Sequence, residues 1–128
     1  MIETEIKKWV IPTSSYIPTI ASRLYINQLP DVVTYPCAVM YSISRNEMHE
    51  CDYFTERFQF SCYANNKSSA TEIADSIKDR LKRFYGKLST ASSYTVVNSV
   101  MDNLVYLYVS NSLKHVEILD MLITYRRV

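Results

Sequence analysis

From Asp52 to Ala64 the chain reads DYFTERFQFSCYA, with Phe54, Phe58, Phe60, Cys62 and Ala64 on one parity and Tyr53, Thr55, Arg57, Gln59 and Ser61 on the other. Alternation of this kind places apolar side chains on one face of a strand. After the polar link Asn65–Ser68, Ala70, Ile73, Ala74, Ile77, Leu81, Phe84 and Leu88 recur at steps of three and four. Glu72, Asp75, Lys78, Asp79, Lys82 and Arg83 fill the positions between them. This spacing predicts a helix over about 69–85 with one buried stripe. Ser69-Ala70-Thr71-Glu72 fits a capping box at its start, and Gly86 sits where a left-handed C-terminal stop is expected.

The other elements are read against this strand and helix. Ile2, Ile6, Trp9 and Val10 share a helical face, Glu3 and Lys7 are spaced to attract each other, and Pro12 ends the pattern. A short docking helix is expected, followed by an extended linker to residue 21. Arg23–Gln28 alternates as a short edge strand stopped by Pro30. Pro36 restarts the sheet, with Cys37, Val39, Tyr41 and Ile43 alternating against Ala38, Met40, Ser42 and Ser44. The polar run Arg45–Asp52 contains no glycine and is expected to form a protruding hairpin loop.

Beyond a hydroxyl-bearing link at Ser89–Ser93, three further strands are expected at Tyr94–Met101, Leu104–Ser110 and Val116–Arg126. Asp102-Asn103 suits a two-residue hairpin, because both residue types tolerate positive φ, and Asn111–Lys114 supplies another turn. In the last strand Leu119, Met121, Ile123 and Tyr125 share one face while Ile118 and Leu122 lie opposite. A strand apolar on both sides is central, or carries a bulge. The expected fold is α+β: a mainly antiparallel five- to six-stranded sheet, one long helix on one face, and a short N-terminal helix, in a two-layer sandwich. Its second face is expected to stay open to water and to be rich in Tyr. One domain spans 1–128, with helix and linker in 1–21 and the body in 22–128.

Composition narrows the function. Fourteen basic and thirteen acidic residues leave a net charge of +1, too weak a field to recruit nucleic acid or an anionic membrane. No run approaches the roughly 20 apolar residues of a membrane span, and MIETEIKKW lacks the features of a signal peptide, so a soluble, unprocessed chain is expected. Three cysteines, Cys37, Cys51 and Cys62, cannot all pair within one molecule, which favours a reducing compartment. A single glycine excludes both the phosphate-cradling loop and the dinucleotide turn.

His49-x-Cys51, flanked by Glu47, Glu50 and Asp52, is the one local group with metal-ligand or nucleophile chemistry. A zinc site needs two separated pairs and only one is present, since His115 is distant in sequence. Catalysis needs a third, orienting group that nothing marks. A small ligand-binding domain or enzyme using the Cys51/His49 loop is therefore the alternative reading. Lys78, Arg80, Lys82, Arg83 and Lys87 could touch phosphates, but cations there also complement the helix C-terminus, and Asp75 and Asp79 intervene, so the second reading is preferred. Eleven tyrosines are the stronger signal. Tyr106 and Tyr108 share one face of their strand, Val105, Leu107 and Val109 the other, so one row must point away from the helix. Aromatic rows on an open sheet suit a protein interface.

Arg23-Leu24-Tyr25 with Pro30, Tyr35-Pro36-Cys37-Ala38-Val39-Met40-Tyr41, and Phe58–Ala64 leading into the helix Ser69–Tyr85 together resemble the tail completion or tail terminator proteins of long-tailed bacteriophages and prophages. The likeness covers roughly residues 20–125 as an order of elements and contains no catalytic signature. It implies a non-enzymatic structural protein, a minor tail or head-tail joining component, that caps the tail tube as a ring, commonly hexameric. The implied partners are further copies of itself, the major tail tube protein and the head-closure or connector protein. No cofactor, small-molecule substrate, membrane or specific nucleic acid is implied. The implied location is the tail or neck of the virion, with assembly in the host cytoplasm. A head-closure protein of the same neck is a further alternative. Relatives often carry glycines in the loop that Arg45–Asp52 occupies here, and this chain has none.

A closed ring needs two different, mutually fitting patches on each subunit. The residues expected at such contacts are Arg45, Glu47, His49, Glu50 and Asp52, the tyrosines Tyr106 and Tyr108, and Arg126 and Arg127. Opposite charges in this set are expected to meet between neighbours.

Overall fold

The computed structural model describes residues 2–10, 23–31, 33, 35–48, 53–82, 84–87, 94–110 and 113–127. Two helices and six strands follow one another as α1 (Ile2–Val10), β1 (Leu24–Ile26), β2 (Cys37–Met48), β3 (Tyr53–Ala64), α2 (Lys67–Leu81), β4 (Gly86–Lys87), β5 (Tyr94–Val109) and β6 (Lys114–Arg127). The strands form one sheet in the order β1-β2-β3-β6-β5-β4, curled into a half-barrel. The sheet is mixed, where a mainly antiparallel one was expected. β1 runs parallel to β2, with Leu24 opposite Ala38, and the Ala38 amide donates to the Arg23 carbonyl at 3.0 Å. A hairpin cannot make this pairing; the chain needs the stretch from Asn27 to Pro36 to return to the same end.

The strand predicted at 52–64 is β3, and it lies between β2 and β6. Phe58, Phe60 and Cys62 point from it into the core, alongside Leu119, Met121, Ile123 and Tyr125 of β6. β6 is apolar on both faces because it is central: β3 pairs with it along one side and β5 along the other. Helix α2 closes the core face with Ile73, Ala74, Ile77 and Leu81. Helix α1 packs on its own body, burying Ile2, Ile6 and Val10. Trp9 lies 4.5 Å from the Phe84 ring, centroid to centroid, and its indole Nε1 donates to the Arg80 carbonyl at 2.9 Å. That bond satisfies one of the carbonyls a helix C-terminus leaves open.

Four expectations require correction. Helix α2 covers 67–81 where 69–85 was expected, because Asn66 is the cap: its side-chain oxygen accepts from the Ser69 amide at 2.8 Å, so Ser69 is already inside the first turn. At the other end the chain turns extended at Lys82, and Gly86 spends its positive φ of 118° on entering β4, which pairs with Val96. The first half of the expected loop Arg45–Asp52 is strand: β2 runs to Met48 and pairs with β3 as far as Met48 opposite Tyr53. Residues 49–52 lie outside the described residues. The hairpin expected at Asp102-Asn103 does not form. β5 is continuous from 94 to 109, and a bulge between Met101 and Asn103 takes up the extra residue while β6 pairs with both halves. Arg57 ion-pairs with Asp102, which holds the bulge against β3.

Cys37 and Cys62 are free thiols with no exposed surface. Burial pushes the Cys37 thiol up to about 11 and raises that of Cys62 further, so both behave as small apolar groups. Because Ile77 is fully buried between α2 and the sheet, Ile77→Ala should cost about 3 kcal/mol, read as a lowered urea midpoint with an unchanged slope. An unchanged midpoint would mean that α2 is not held by this stripe.

Candidate assembly surface

The residues predicted at interfaces fall into two groups at opposite ends of the sheet. Arg45 and Glu47 lie on β2, and Arg126 and Arg127 on β6, at the end where β2 and β3 approach their connection. Both Arg45 and Arg126 are exposed. His49, Glu50, Cys51 and Asp52 lie outside the described residues. The pairing Arg45 opposite Glu56, and Tyr53 opposite both Met48 and Arg126, brings the basic and the acidic strand residues to one end of the same molecule.

Below that end lies a polar group that sequence reasoning missed. Glu56 has the parity of the apolar face of β3 and is only 2 % exposed. One of its carboxylate oxygens accepts from the Tyr125 hydroxyl at 2.6 Å and the other from the Ser42 hydroxyl. Arg45 stacks over the Phe54 ring at 5.7 Å and also reaches Tyr125. Burial raises the Tyr125 phenol well above its ordinary value, and the Glu56 carboxylate beside it adds to the shift. A single acidic residue inside a run of Phe was the signal available, because a carboxylate on an apolar face must find donors. The network ties β2, β3 and β6 together where the β2–β3 extension leaves the body.

At the other end, the tyrosines do not face away from the helix. Tyr106 lies opposite Glu117, whose carboxylate accepts from the Thr71 hydroxyl of α2 at 2.8 Å, so both point to the helix side. Tyr106 Oη and His115 Nδ1 are 2.5 Å apart, and the Lys67 ammonium sits 4.7 Å from the Tyr106 ring centre. The Tyr108 ring lies 4.8 Å from the His115 ring and stays 49 % exposed. His115 is thus held by tyrosines, and among the described residues no three His, Cys, Asp or Glu side chains converge as a metal site.

The row that points away is aliphatic. Val105, Leu107 and Val109 are exposed on the far face of β5, and Val100, Met101 and Leu104 are exposed on the same strand. The outer half of β5 therefore carries exposed apolar side chains on both faces, with Tyr106 partly covered on the helix side by His115 and Lys67. The far face also carries a charged step, in which Arg57 bridges Asp102 and lies 3.8 Å from Asp120. Elsewhere on that face Val39, Ser61 and Val116 are buried, so it is less open than expected. An open apolar groove beside α1 and β1, lined by Lys7, Tyr25, Ile26, Gln28, Leu29 and Pro30, brings together no convergent ionisable groups.

Two predictions follow from these polar groups. Tyr125→Phe removes a donor from a buried carboxylate and should cost about 1–3 kcal/mol at neutral pH. The raised Tyr125 phenol contributes stability that is full below about pH 10 and is lost as pH rises through its folded-state value, so the variant should also lose stability less steeply in alkali. Burial raises Asp120 above the ordinary carboxylate range, outweighing the attraction of Arg57. Its contribution is therefore most favourable at acid pH and declines as pH rises through the folded-state value. Asp120→Asn should raise the urea midpoint at pH 7, with the gain shrinking toward pH 4. A lowered midpoint at pH 7 would show that Arg57 dominates instead.

No family model and no curated protein matches this sequence. The fold does have a solved counterpart: a chain from the virion of a native gene transfer agent particle superposes with a TM-score of 0.70 at 9 % identity, covering 94 % of this chain and 91 % of that one. At that identity the likeness establishes a shared fold across nearly the whole of both chains.

Proposed function

We propose that this chain is a non-enzymatic structural component of a phage-type particle. It acts as a tail terminator: a ring, hexameric when assembled, that caps the tail tube and joins it to the head-closure or connector protein in the neck of the virion. The observation that carries the reading is the near-complete coverage of both chains in the superposition on a gene transfer agent virion component. The exposed apolar arm of β5 supports it, since a contiguous uncovered apolar strand marks a surface that meets another protein. The order of elements resembling tail completion proteins supports a place at the tail end.

Contacts between neighbours use the hairpin end. The acidic residues Glu47, Glu50 and Asp52, with His49, meet Arg126 and Arg127 of the next subunit, Arg45 adds a further charge, and Tyr106 and Tyr108 border the opposite end. Such rim charges set register and salt dependence more than affinity.

Deleting the gene should leave filled heads and separate, unjoined tails in electron micrographs, and a plasmid copy should restore joined particles. Normally joined particles in the deletion strain would overturn the reading. Reversing the charges with Glu50→Lys and Asp52→Lys should reduce self-association measured by light scattering at low salt, with a smaller difference at high salt. Unchanged assembly at low salt would discard the charge pairing.

A further inference from the structure

The sheet has two long margins that no described strand covers. On one side β1 pairs with β2 from Ala38 to Met40, and from Tyr41 onward no described strand lies along the outer edge of β2. On the other side β4 pairs with β5 at Thr95 and Val96, and from Asn98 to Val109 no described strand lies along the outer edge of β5. Soluble proteins blunt such edges with lysine, proline or inward-pointing charge. The stretch Asn98–Val109 has no lysine and no proline, and its one charge, Asp102, is neutralised by Arg57. Apart from the bulge between Met101 and Asn103, this edge carries none of these devices, and among the described residues it is open to pairing.

The register of the sheet shows what fits it. Ser42 lies opposite Phe58, Phe58 opposite Met121, and Met121 opposite Met101. Ser44, Arg57, Leu122 and Val100 form the next row, and Asn46, Thr55, Thr124 and Asn98 another. The two uncovered margins are thus opposite ends of the same rows, at one level of the sheet. Each step from β2 through β3 and β6 to β5 is antiparallel, so β2 and β5 run in opposite directions. A second copy displaced along the rows presents its β5 to the first copy's β2 at matching height and in antiparallel sense, with the bulge between Ser42 and Ser44 facing the stretch that holds the bulge between Met101 and Asn103. Ile43, 52 % exposed on β2, then meets the apolar margin of β5.

We propose that β2 of one molecule, around Tyr41–Asn46, pairs antiparallel with β5 of a second copy, around Asn98–Leu104, so that the sheet continues from subunit to subunit. The two margins differ, so the contact is head-to-tail, and repeated about an axis it closes a ring. This rests on the ring reading above and names the seam that builds it. Because the contact is made largely by main-chain groups, it tolerates side-chain change on the faces and is sensitive to whatever blocks the edge.

The test uses the full chain carrying Cys51→Ser, with Cys37 and Cys62 shielded by burial. Ser44→Cys and Val100→Cys, at opposite ends of one row, are made as separate variants, and assembly is followed by sedimentation and electron microscopy. With a short bismaleimide, the mixture of the two variants should yield a covalent dimer, each variant alone none above background, and the double variant a ladder up to ring size. Crosslinking of either variant alone as strongly as the mixture would mean symmetric edge pairing and overturn the proposal. Rings that form without crosslinks would overturn the seam and leave the ring reading standing. A chain that stays monomeric at every concentration, alone and with tail tubes, would overturn the ring reading and the seam with it.

Discussion

β3 and β6 lie side by side for twelve residue pairs, and the molecule is assembled on that contact. One face of the pair carries Phe58, Phe60, Leu119, Met121 and Ile123, which α2 and α1 cover. Burying those side chains supplies the favourable free energy, at about 1.5–3 kcal/mol each. The pairing also dictates the rest of the order. β2 must lie outside β3 because their connection is a hairpin, β5 must lie outside β6 for the same reason, and β1 and β4 are left as short margins. Slipping β6 by one residue would turn its whole apolar set onto the wrong face, so the register is strongly specified.

Two carboxylates interrupt this apolar layer, and each is placed where an outlying element has to be tied down. Glu56 collects hydroxyls from β2 and β6 just before the β2–β3 extension leaves the body. Glu117 receives the Thr71 hydroxyl and fixes the first turn of α2 against β6. A buried carboxylate without donors would be strongly destabilising, so each works only in one arrangement of its neighbours. These groups contribute specificity of geometry more than net stability, which the aliphatic and aromatic layer provides.

What remains outside that layer explains why the molecule reads as a part of something larger. The outer half of β5 projects with exposed apolar side chains on both faces, and among the described residues its backbone pairs with β6 alone. Among the described residues, the groove beside α1 is lined mainly by apolar groups, and the cluster at the turn end holds His115 between Tyr106 and Tyr108. Shape, edge and exposed apolar surface suit contact with another protein.

The two-residue period of 54–64, the three-and-four spacing from Ala70 to Leu81 and the face formed by Ile2, Ile6 and Val10 were legible because each is a local pattern set by one element's own geometry. Apolar residues on both parities of β6 left two readings, a central strand or a bulged one, and its place between β3 and β5 decides for the first. Asp102-Asn103 was misread as a turn, since a local preference for positive φ cannot reveal that β6 runs past and pairs with both halves of β5. The helix end was misread at Gly86, whose conformational freedom serves β4 instead. The parallel placement of β1, the donors gathered by Glu56 and the helix-side orientation of the tyrosines all depend on partners at least nine residues away along the chain. Local sequence determined which segments would be strand and helix and which side of each would be apolar; only the tertiary structure decided which edges stayed unpaired, because an edge is free or covered according to what the rest of the chain leaves beside it.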